Sequence, residues 1–193
     1  MPRIQAPTVA LNREQRRAAL LEAAAALILR DGTFTVAEVA AEVGLSRSAV
    51  YEYYTSAADL IADVLIDELA EWSSALVLAV EGTDDPHARI EAWVQAVLDY
   101  VADGRHALVR AAAGADLSPT RRAEVQSQHR DLVAPLTEAI RDAGVADPAA
   151  AAGLAWGAVD AAIGRIEAGT TTVEVEAPRV IAFVRGGLRA LAR

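Results

Sequence analysis

The chain has 193 residues, 53% of them apolar and 5% aromatic, so it is long enough to bury a core in one or two small domains. Its net charge is −9, and all 18 basic residues are arginine, so DNA binding would require a locally basic region. The absence of cysteine excludes a disulfide framework and thiolate metal sites. With no signal-peptide pattern and no apolar stretch long enough for a membrane span, these features predict a cytoplasmic protein without a cofactor.

The negative charge is unevenly distributed along the chain. Residues 1–54 contain six arginines and six acidic residues, whereas residues 55–193 contain twelve arginines and twenty-one acidic residues. Residues 1–30 alone carry five arginines and two acidic residues. This pattern predicts a locally basic N-terminal end attached to an acidic body, although scattered surface charge would also account for some of these arginines.

The first elements are an arm and a helix. Residues 1–11 read as a loose arm, and Asn12 with Gln15 predicts the start of a first helix. Leu20 and Leu27 belong to its apolar stripe, and Gly32 marks its end.

Two short helices separated by a glycine turn are predicted next. Thr35 precedes Glu38 by three residues, the capping-box spacing of a helix start. Gly44 supplies the left-handed residue that ends this helix, and Ser46 is the cap of the following one. The third helix is predicted to extend to Tyr54 and to pack Val50 and Tyr54 inward. Its predicted exposed residues are Arg47, Ser48 and Tyr51. A helix, a glycine turn and a helix that exposes arginine, serine and tyrosine form the DNA-reading helix-turn-helix pattern.

The remaining chain is predicted to be helical. A long helix runs from Ser56 to Val80, a short one spans Arg105 to Ala113, and a last helix runs from Pro178 to Leu191. Three further helix starts share a cap residue followed by proline, at Asp85-Pro86, Ser118-Pro119 and Asp147-Pro148. Thr170–Val175 is expected to be a connecting loop. The prediction is therefore an all-α protein of nine helices.

At the helix-turn-helix the chain resembles the TetR/AcrR family of transcriptional regulators. The resemblance covers about Asn12 to Leu65 and rests on the ordered residues Gly32, Thr35, Val36, Val39, Ala40, Gly44, Leu45, Ser46, Tyr51, Tyr54 and Leu60. It implies an N-terminal DNA-binding domain over residues 12–55 and a helical ligand-binding and dimerisation domain over residues 56–193. Ala57 stands where the family usually has a phosphate-binding lysine, a departure expected to weaken DNA binding at all sequences alike.

Six residues are the candidates for DNA contact: Thr35, Ser46, Arg47, Ser48, Tyr51 and Tyr53. Arg47 is suited to bidentate contact with guanine in the major groove. Tyr51 and Tyr53 are expected to donate to phosphates, and the alternative is that they are half-buried packing residues. The resemblance supports phosphate contact by Tyr51 and by Thr35.

A single reading helix contacts few base pairs, so a dimer on a two-fold operator is expected. The helix after Pro148 carries small residues, among them Gly153 and Gly157, that allow another helix to approach closely. The resemblance implies that the last two helices form a four-helix dimer interface. The alternative is an alanine-rich helix buried within one subunit.

The middle helices contain polar and aromatic residues suited to lining a cavity for a small-molecule effector. The candidates are Trp93, Tyr100, His106, Arg110, His129, Trp156 and Asp160. Trp93 and Trp156 are better explained as core residues, and a buried Asp160 would need a partner such as an arginine or a cationic ligand. The three histidines lack metal-site spacing, so no metal site is predicted.

These observations predict a ligand-responsive regulator, a repressor that an effector releases from DNA by shifting the fourth helix, as the resemblance implies. The alternative is a helical dimeric protein that binds a ligand or a partner and has weak or lost DNA binding, because its head carries no net charge and lacks the lysine. No catalytic motif is present, so an enzyme is not expected.

Overall fold

The computed structural model describes residues 9–191, with side-chain burial from residue 11, and the predicted arm therefore lies mostly outside the described residues. The described chain forms nine helices and no strand, which confirms the all-α prediction. They are α1 (Val9–Asp31), α2 (Val36–Glu42), α3 (Arg47–Tyr51), α4 (Ala57–Val80), α5 (Pro86–Ala102), α6 (Ala107–Ala112), α7 (Pro119–Asp142), α8 (Pro148–Glu167) and α9 (Val173–Leu191). No helix in this range is both long and apolar enough to cross a membrane.

The chain divides into two compact units. The first consists of residues 1–67 and 108–123, of which residues 9–67 and 108–123 are described, and the second of residues 68–107 and 124–193, described to residue 191. The boundaries fall inside α4 and α7, so each of these helices contributes residues to both units.

Local capping interactions fix the elements of the first unit. The Thr35 side chain accepts from the Glu38 amide at 3.3 Å, and Glu38 accepts from the Thr35 amide at 2.7 Å, completing the predicted capping box. At the other end of α2, Gly44 has a φ of 67° and Leu45 donates to the Ala40 carbonyl at 2.9 Å. This is a Schellman end, which requires a left-handed residue and so favours glycine.

Helix α3, which carries the candidates for DNA contact, is shorter than predicted. It ends at Tyr51, and Tyr53 and Tyr54 lie in the turn that leads to α4. The Ser46 side chain caps it by accepting from the Ala49 amide at 3.2 Å. Val50 and Tyr54 are buried, as predicted, and they connect this short helix to the core.

The predicted boundaries of three further helices were wrong. Helix α1 begins at Val9 rather than Asn12, because Val, Ala and Leu continue a helix without interruption. Helix α6 is shorter at both ends than the predicted Arg105–Ala113. Helix α9 begins at Val173, so residues 170–172 of the predicted loop lie outside the helix and residues 173–175 form its first turn.

The second unit is built on α5, α8 and α9, which pack against one another. The predicted proline starts are present: Asp85 and Asp147 cap α5 and α8 with their side chains. In α4, six apolar residues at helical spacing are buried, as expected for its inward face: Leu60, Val64, Leu65, Leu69, Trp72 and Leu76.

Candidate nucleic-acid interface

The start of α3 exposes the polar residues expected to contact DNA. Ser46, Arg47 and Ser48 are exposed, and Tyr51 is 42% exposed. The Ser46 and Ser48 hydroxyl oxygens lie 2.9 Å apart. Thr35 is exposed at the start of α2, which packs against α3. These side chains provide a cation and several hydroxyl groups, which are the usual contacts to base edges and phosphates.

Arg47 and Tyr51 form a pair one helical turn apart. The Arg47 guanidinium donates to the Tyr51 hydroxyl at 3.0 Å, and its central carbon lies 5.4 Å from the centre of the tyrosine ring. The phenol is therefore a neutral partner that limits the orientations of the guanidinium without cancelling its charge.

The turn after α3 contains a second arginine–tyrosine pair. The central carbon of the exposed Arg13 guanidinium, on α1, lies 5.4 Å from the centre of the Tyr53 ring. Tyr53 is half-buried, so its side chain is compatible both with the predicted DNA contact and with the packing alternative.

Asp63 of α4 is bonded to two arginines of the first unit. Arg17 donates to it at 2.8 Å, and Arg121, from the first turn of α7, donates to its other oxygen. Burial raises the pKa of Asp63, but the bonds from Arg17 and Arg121 outweigh burial, and the pKa lies below its ordinary value. Burial, followed by the charge of Asp63, raises the pKa of neighbouring Tyr54 to about 12.

The sequence reasoning did not identify Arg13 or the Asp63 cluster as parts of this region. The Arg13–Tyr53 pair joins residues forty positions apart, and no local pattern predicts such a contact. The sequence around Asp63 did contain a signal for its cluster. Asp63 lies between Ala62 and Val64, both of which are buried, and a carboxylate beside buried apolar positions requires a partner.

Residues 20–64 match the sequence model of bacterial regulatory proteins of the tetR family. This part of the chain is similar to the tetR family. The matched residues include α2 and α3 with the exposed Thr35, Ser46, Arg47, Ser48 and Tyr51, and over residues 20–64 the match confirms the resemblance found in the sequence. A comparison with curated proteins finds no match.

Solved structures share the fold of this chain. A putative transcriptional regulator from Pseudomonas aeruginosa PAO1 is 20% identical with a TM-score of 0.80, over 92% of each chain. FadR from Bacillus subtilis in complex with stearoyl-CoA is 11% identical with a TM-score of 0.71, over 86% of this chain and 96% of that one. AibR in complex with isovaleryl coenzyme A and operator DNA is 21% identical with a TM-score of 0.68, over 87% of this chain and 97% of that one.

The candidate effector residues of the second unit fall into two aromatic clusters. In the first, Tyr100 stacks on Trp72 with ring centres 4.7 Å apart, and His106 meets the Trp72 ring edge-on at 5.4 Å. Tyr100 donates to Glu68, and His106 Nδ1 lies 2.7 Å from Glu167. Burial, together with the bond to Glu68, raises the pKa of Tyr100. Trp72, Glu68 and Glu167 were not among the predicted residues.

The second cluster consists of Trp93, Trp156 and His129. Trp156 lies edge-on to both other rings, 6.0 Å from Trp93 and 5.1 Å from His129. Trp93 is fully buried, and its indole N–H donates to the Leu132 carbonyl at 3.0 Å. This environment is also compatible with the interpretation of Trp93 as a core residue. Burial lowers the pKa of His129, with a further lowering by His106 and an opposing effect of Asp160.

Two of the seven candidates, Asp160 and Arg110, are exposed. Asp160 is exposed on α8 and therefore does not need the buried partner considered from the sequence. Arg110 is exposed and belongs to the first unit, whereas the other six belong to the second. Within residues 9–191, no three histidine or acidic side chains form a group able to coordinate a metal ion.

The outer face of α8 and α9 exposes large apolar side chains. Leu154 is 68% exposed, Phe183 69% and Leu191 46%. They line a groove of about 330 Å³, here called the α8–α9 groove, whose lining residues are Ala151, Leu154, Ala155, Ala158, Phe183, Val184, Gly187, Leu188 and Leu191. Its lining is almost wholly apolar, in contrast to the surface of a typical soluble helix pair.

Proposed function

We propose that this protein is a ligand-responsive transcriptional repressor that binds a two-fold operator as a dimer. The observation that carries the proposal is the capped start of α3, where Arg47 and Ser48 are exposed and Val50 is buried. A helix anchored by one apolar residue and presenting polar side chains is suited to the major groove. The match of residues 20–64 to the sequence model of the tetR family supports this assignment.

Within the reading head, we assign different tasks to the six candidates. Arg47 is suited to reading guanine, because its guanidinium is exposed and its neighbour Tyr51 is neutral. Ser48 is suited to donating to or accepting from a base edge, because it is exposed beside Arg47. Thr35, Ser46 and Tyr51 are suited to phosphate contacts, which fix the position of the helix rather than the sequence that it reads, and the ring of Tyr53 is suited to holding the Arg13 guanidinium.

Dimerisation is supported by the α8–α9 groove. Its exposed Leu154 and Phe183 are costly to leave in water, and a second copy of the same face would remove them from solvent. Gly187 lines the groove, and an added Cβ there meets no atom within 4 Å, so packing within the protomer does not require glycine at this position. A close approach by a helix of a second copy would explain why glycine occupies position 187.

We assign effector binding to the two aromatic clusters of the second unit. Trp72 and Tyr100 offer flat apolar surfaces, and Glu68 and Glu167 offer acceptors, so the region favours an effector with an apolar body and a hydrogen-donating or cationic group. The rings are in packing contact, and an effector would have to separate them. The ligand complexes of FadR and AibR, proteins of the same fold, support regulation by a small molecule.

The proposal is tested by measuring binding of the full chain to DNA from its own upstream region as the salt concentration is varied. A two-fold site and an affinity that falls steeply with salt are expected. Sedimentation should give the mass of a dimer. A protein that dimerises but shows no salt-dependent DNA binding would be the alternative, a helical ligand- or partner-binding dimer. A monomeric mass at micromolar concentration would refute the dimeric part of the proposal.

A further inference from the structure

The arginines of residues 12–55, here called the N-terminal head, differ in whether they are paired with carboxylates. Among the five within residues 12–55, Arg17 is bonded to Asp63, and Arg30 is bonded to both Asp31 and Glu42. A guanidinium already paired with carboxylates offers little net charge to DNA. Arg13, Arg16 and Arg47 form no ion pair with any residue in the described part of the chain.

Arg13 is distinguished from Arg16 by its contact with Tyr53. Its guanidinium is 5.4 Å from the centre of that ring, and Tyr53 follows the end of α3 by two residues. Arg16 is exposed on the same helix, but no ring or hydrogen-bond contact joins it to a described residue. The tyrosine thus places one of the two α1 cations beside the reading helix.

The surroundings of Arg13 allow an anion to reach it. A groove of about 420 Å³ borders the guanidinium and is lined by Arg13, Glu14, Arg17, Tyr53, Tyr54 and Asp63. Arg17 and Asp63 neutralise each other there. Glu14 is the one remaining acid of the groove, and adjacent residues of a helix do not face each other, so it does not pair with Arg13.

We propose that Arg13, positioned by the ring of Tyr53, binds a phosphate of the DNA backbone and supplies the cation that Ala57 does not provide. The inference rests on the proposed DNA-binding function and adds to it a binding residue on α1. Cation–π contact leaves the guanidinium N–H groups at the ring edge available, so one arginine can contact the tyrosine and the phosphate together. Because phosphates are present in every sequence, this contact contributes affinity without base preference.

The test compares Arg13→Gln with Arg16→Gln in the full-length protein. The probes are a labelled duplex that the wild-type protein selects from a randomised pool and a scrambled duplex. Removing two phosphate contacts from the dimer should lower the slope of log affinity against log salt by about 1.8. Arg13→Gln should weaken binding about tenfold per protomer on both duplexes, whereas Arg16→Gln should match the wild type.

Tyrosine variants separate positioning by the ring from contact through the hydroxyl. Tyr53→Phe keeps the ring and should bind within twofold of the wild type, while Tyr53→Leu should lose two- to fivefold. In the Arg13→Gln background, Tyr53→Leu should have no further effect. Circular dichroism checks that each variant folds.

Three results would overturn the inference. Equal losses for Arg13→Gln and Arg16→Gln would indicate diffuse attraction by α1 rather than a site. A loss for Tyr53→Phe as large as for Tyr53→Leu would assign the tyrosine's effect to its hydroxyl. Wild-type binding with an unchanged salt slope in Arg13→Gln would refute this inference alone, whereas a wild-type protein that selects no duplex would refute it together with the proposed function.

Discussion

Replacing Gly187 with alanine tests whether the α8–α9 groove is the dimer interface. Gly187 lies inside α9, and an added Cβ meets no atom within 4 Å in the protomer. Alanine is more favourable than glycine in a helix interior by about 0.8–1.0 kcal/mol. The protomer should therefore become more stable by about this amount.

Gly186 provides a matched control. It is the preceding residue of the same helix, it is equally open, and it lines a different groove with Gln95 and Arg185. Gly186→Ala should give the same gain in protomer stability. Any difference between the two variants then comes from the groove that each residue faces.

The two variants should differ in their dimer dissociation constants. A methyl group forced into a well-packed interface costs about 1–3 kcal/mol. Two-fold symmetry inserts it twice, so Gly187→Ala should raise the dissociation constant at least about thirtyfold. Gly186→Ala should leave it within a few-fold of the wild type.

Sedimentation equilibrium over a wide concentration range measures the dissociation constants, and urea unfolding at several protein concentrations measures the stabilities. A Gly187→Ala protein that dimerises as tightly as Gly186→Ala would refute the groove as the interface. Loss of dimerisation in both variants would point instead to a general effect on α9.

Three further predictions concern the first unit. Arg47→Ala should relax the preference at one base pair in each half-site, a loss of about 1–3 kcal/mol of discrimination in a site-selection assay. Thr35→Ala should lower the free energy of unfolding in urea by about 1 kcal/mol, whereas Thr35→Ser retains the capping hydroxyl and should not. Because the pKa of Asp63 is lowered in the folded protein, its pairing with Arg17 and Arg121 stabilises the fold above about pH 4 and is lost as the pH falls through the lowered pKa. Asp63→Asn should remove this acid-side loss from the dependence of unfolding on pH.

Each of these predictions has a result that contradicts it. Unchanged base preference in Arg47→Ala would mean that Arg47 contacts only the backbone. Equal stability of Thr35→Ala and Thr35→Ser would show that the cap contributes little. An acid-side loss of stability that persists in Asp63→Asn would have to come from other carboxylates.

The parts of the fold that the sequence predicted well are those fixed by neighbours along the chain. The capping box of Thr35 with Glu38 and the left-handed Gly44 each depend on residues at most a few positions apart. The start of α9 was mispredicted because Pro178 resembles a first helical residue, whereas the helix begins five residues earlier. A proline there removes one amide donor, and the buried Glu176 ties the first turn to Arg165 of α8, a contact that local propensity does not contain.

The candidate sites were predictable to the extent that exposure follows helical phase. Val50 was predicted to be buried and Arg47 and Ser48 to be exposed, and the exposures of these three side chains in the structure agree. The partners of these residues were not predictable, since Arg13 reaches Tyr53 only through tertiary packing. The same holds for Glu68 and Tyr100, which are distant in sequence and joined by one hydrogen bond.

The placement of the aromatic residues provides each unit with its own optical signal. All three tryptophans of the chain, at positions 72, 93 and 156, belong to the second unit and to its aromatic clusters. Three of the four tyrosines, at positions 51, 53 and 54, belong to the first unit. Tryptophan emission therefore reports on the second unit alone, and it will change when a bound molecule separates the rings. Tyrosine absorbance reports mainly on the first unit. Denaturation recorded with both chromophores will distinguish units that melt together from units that melt in sequence.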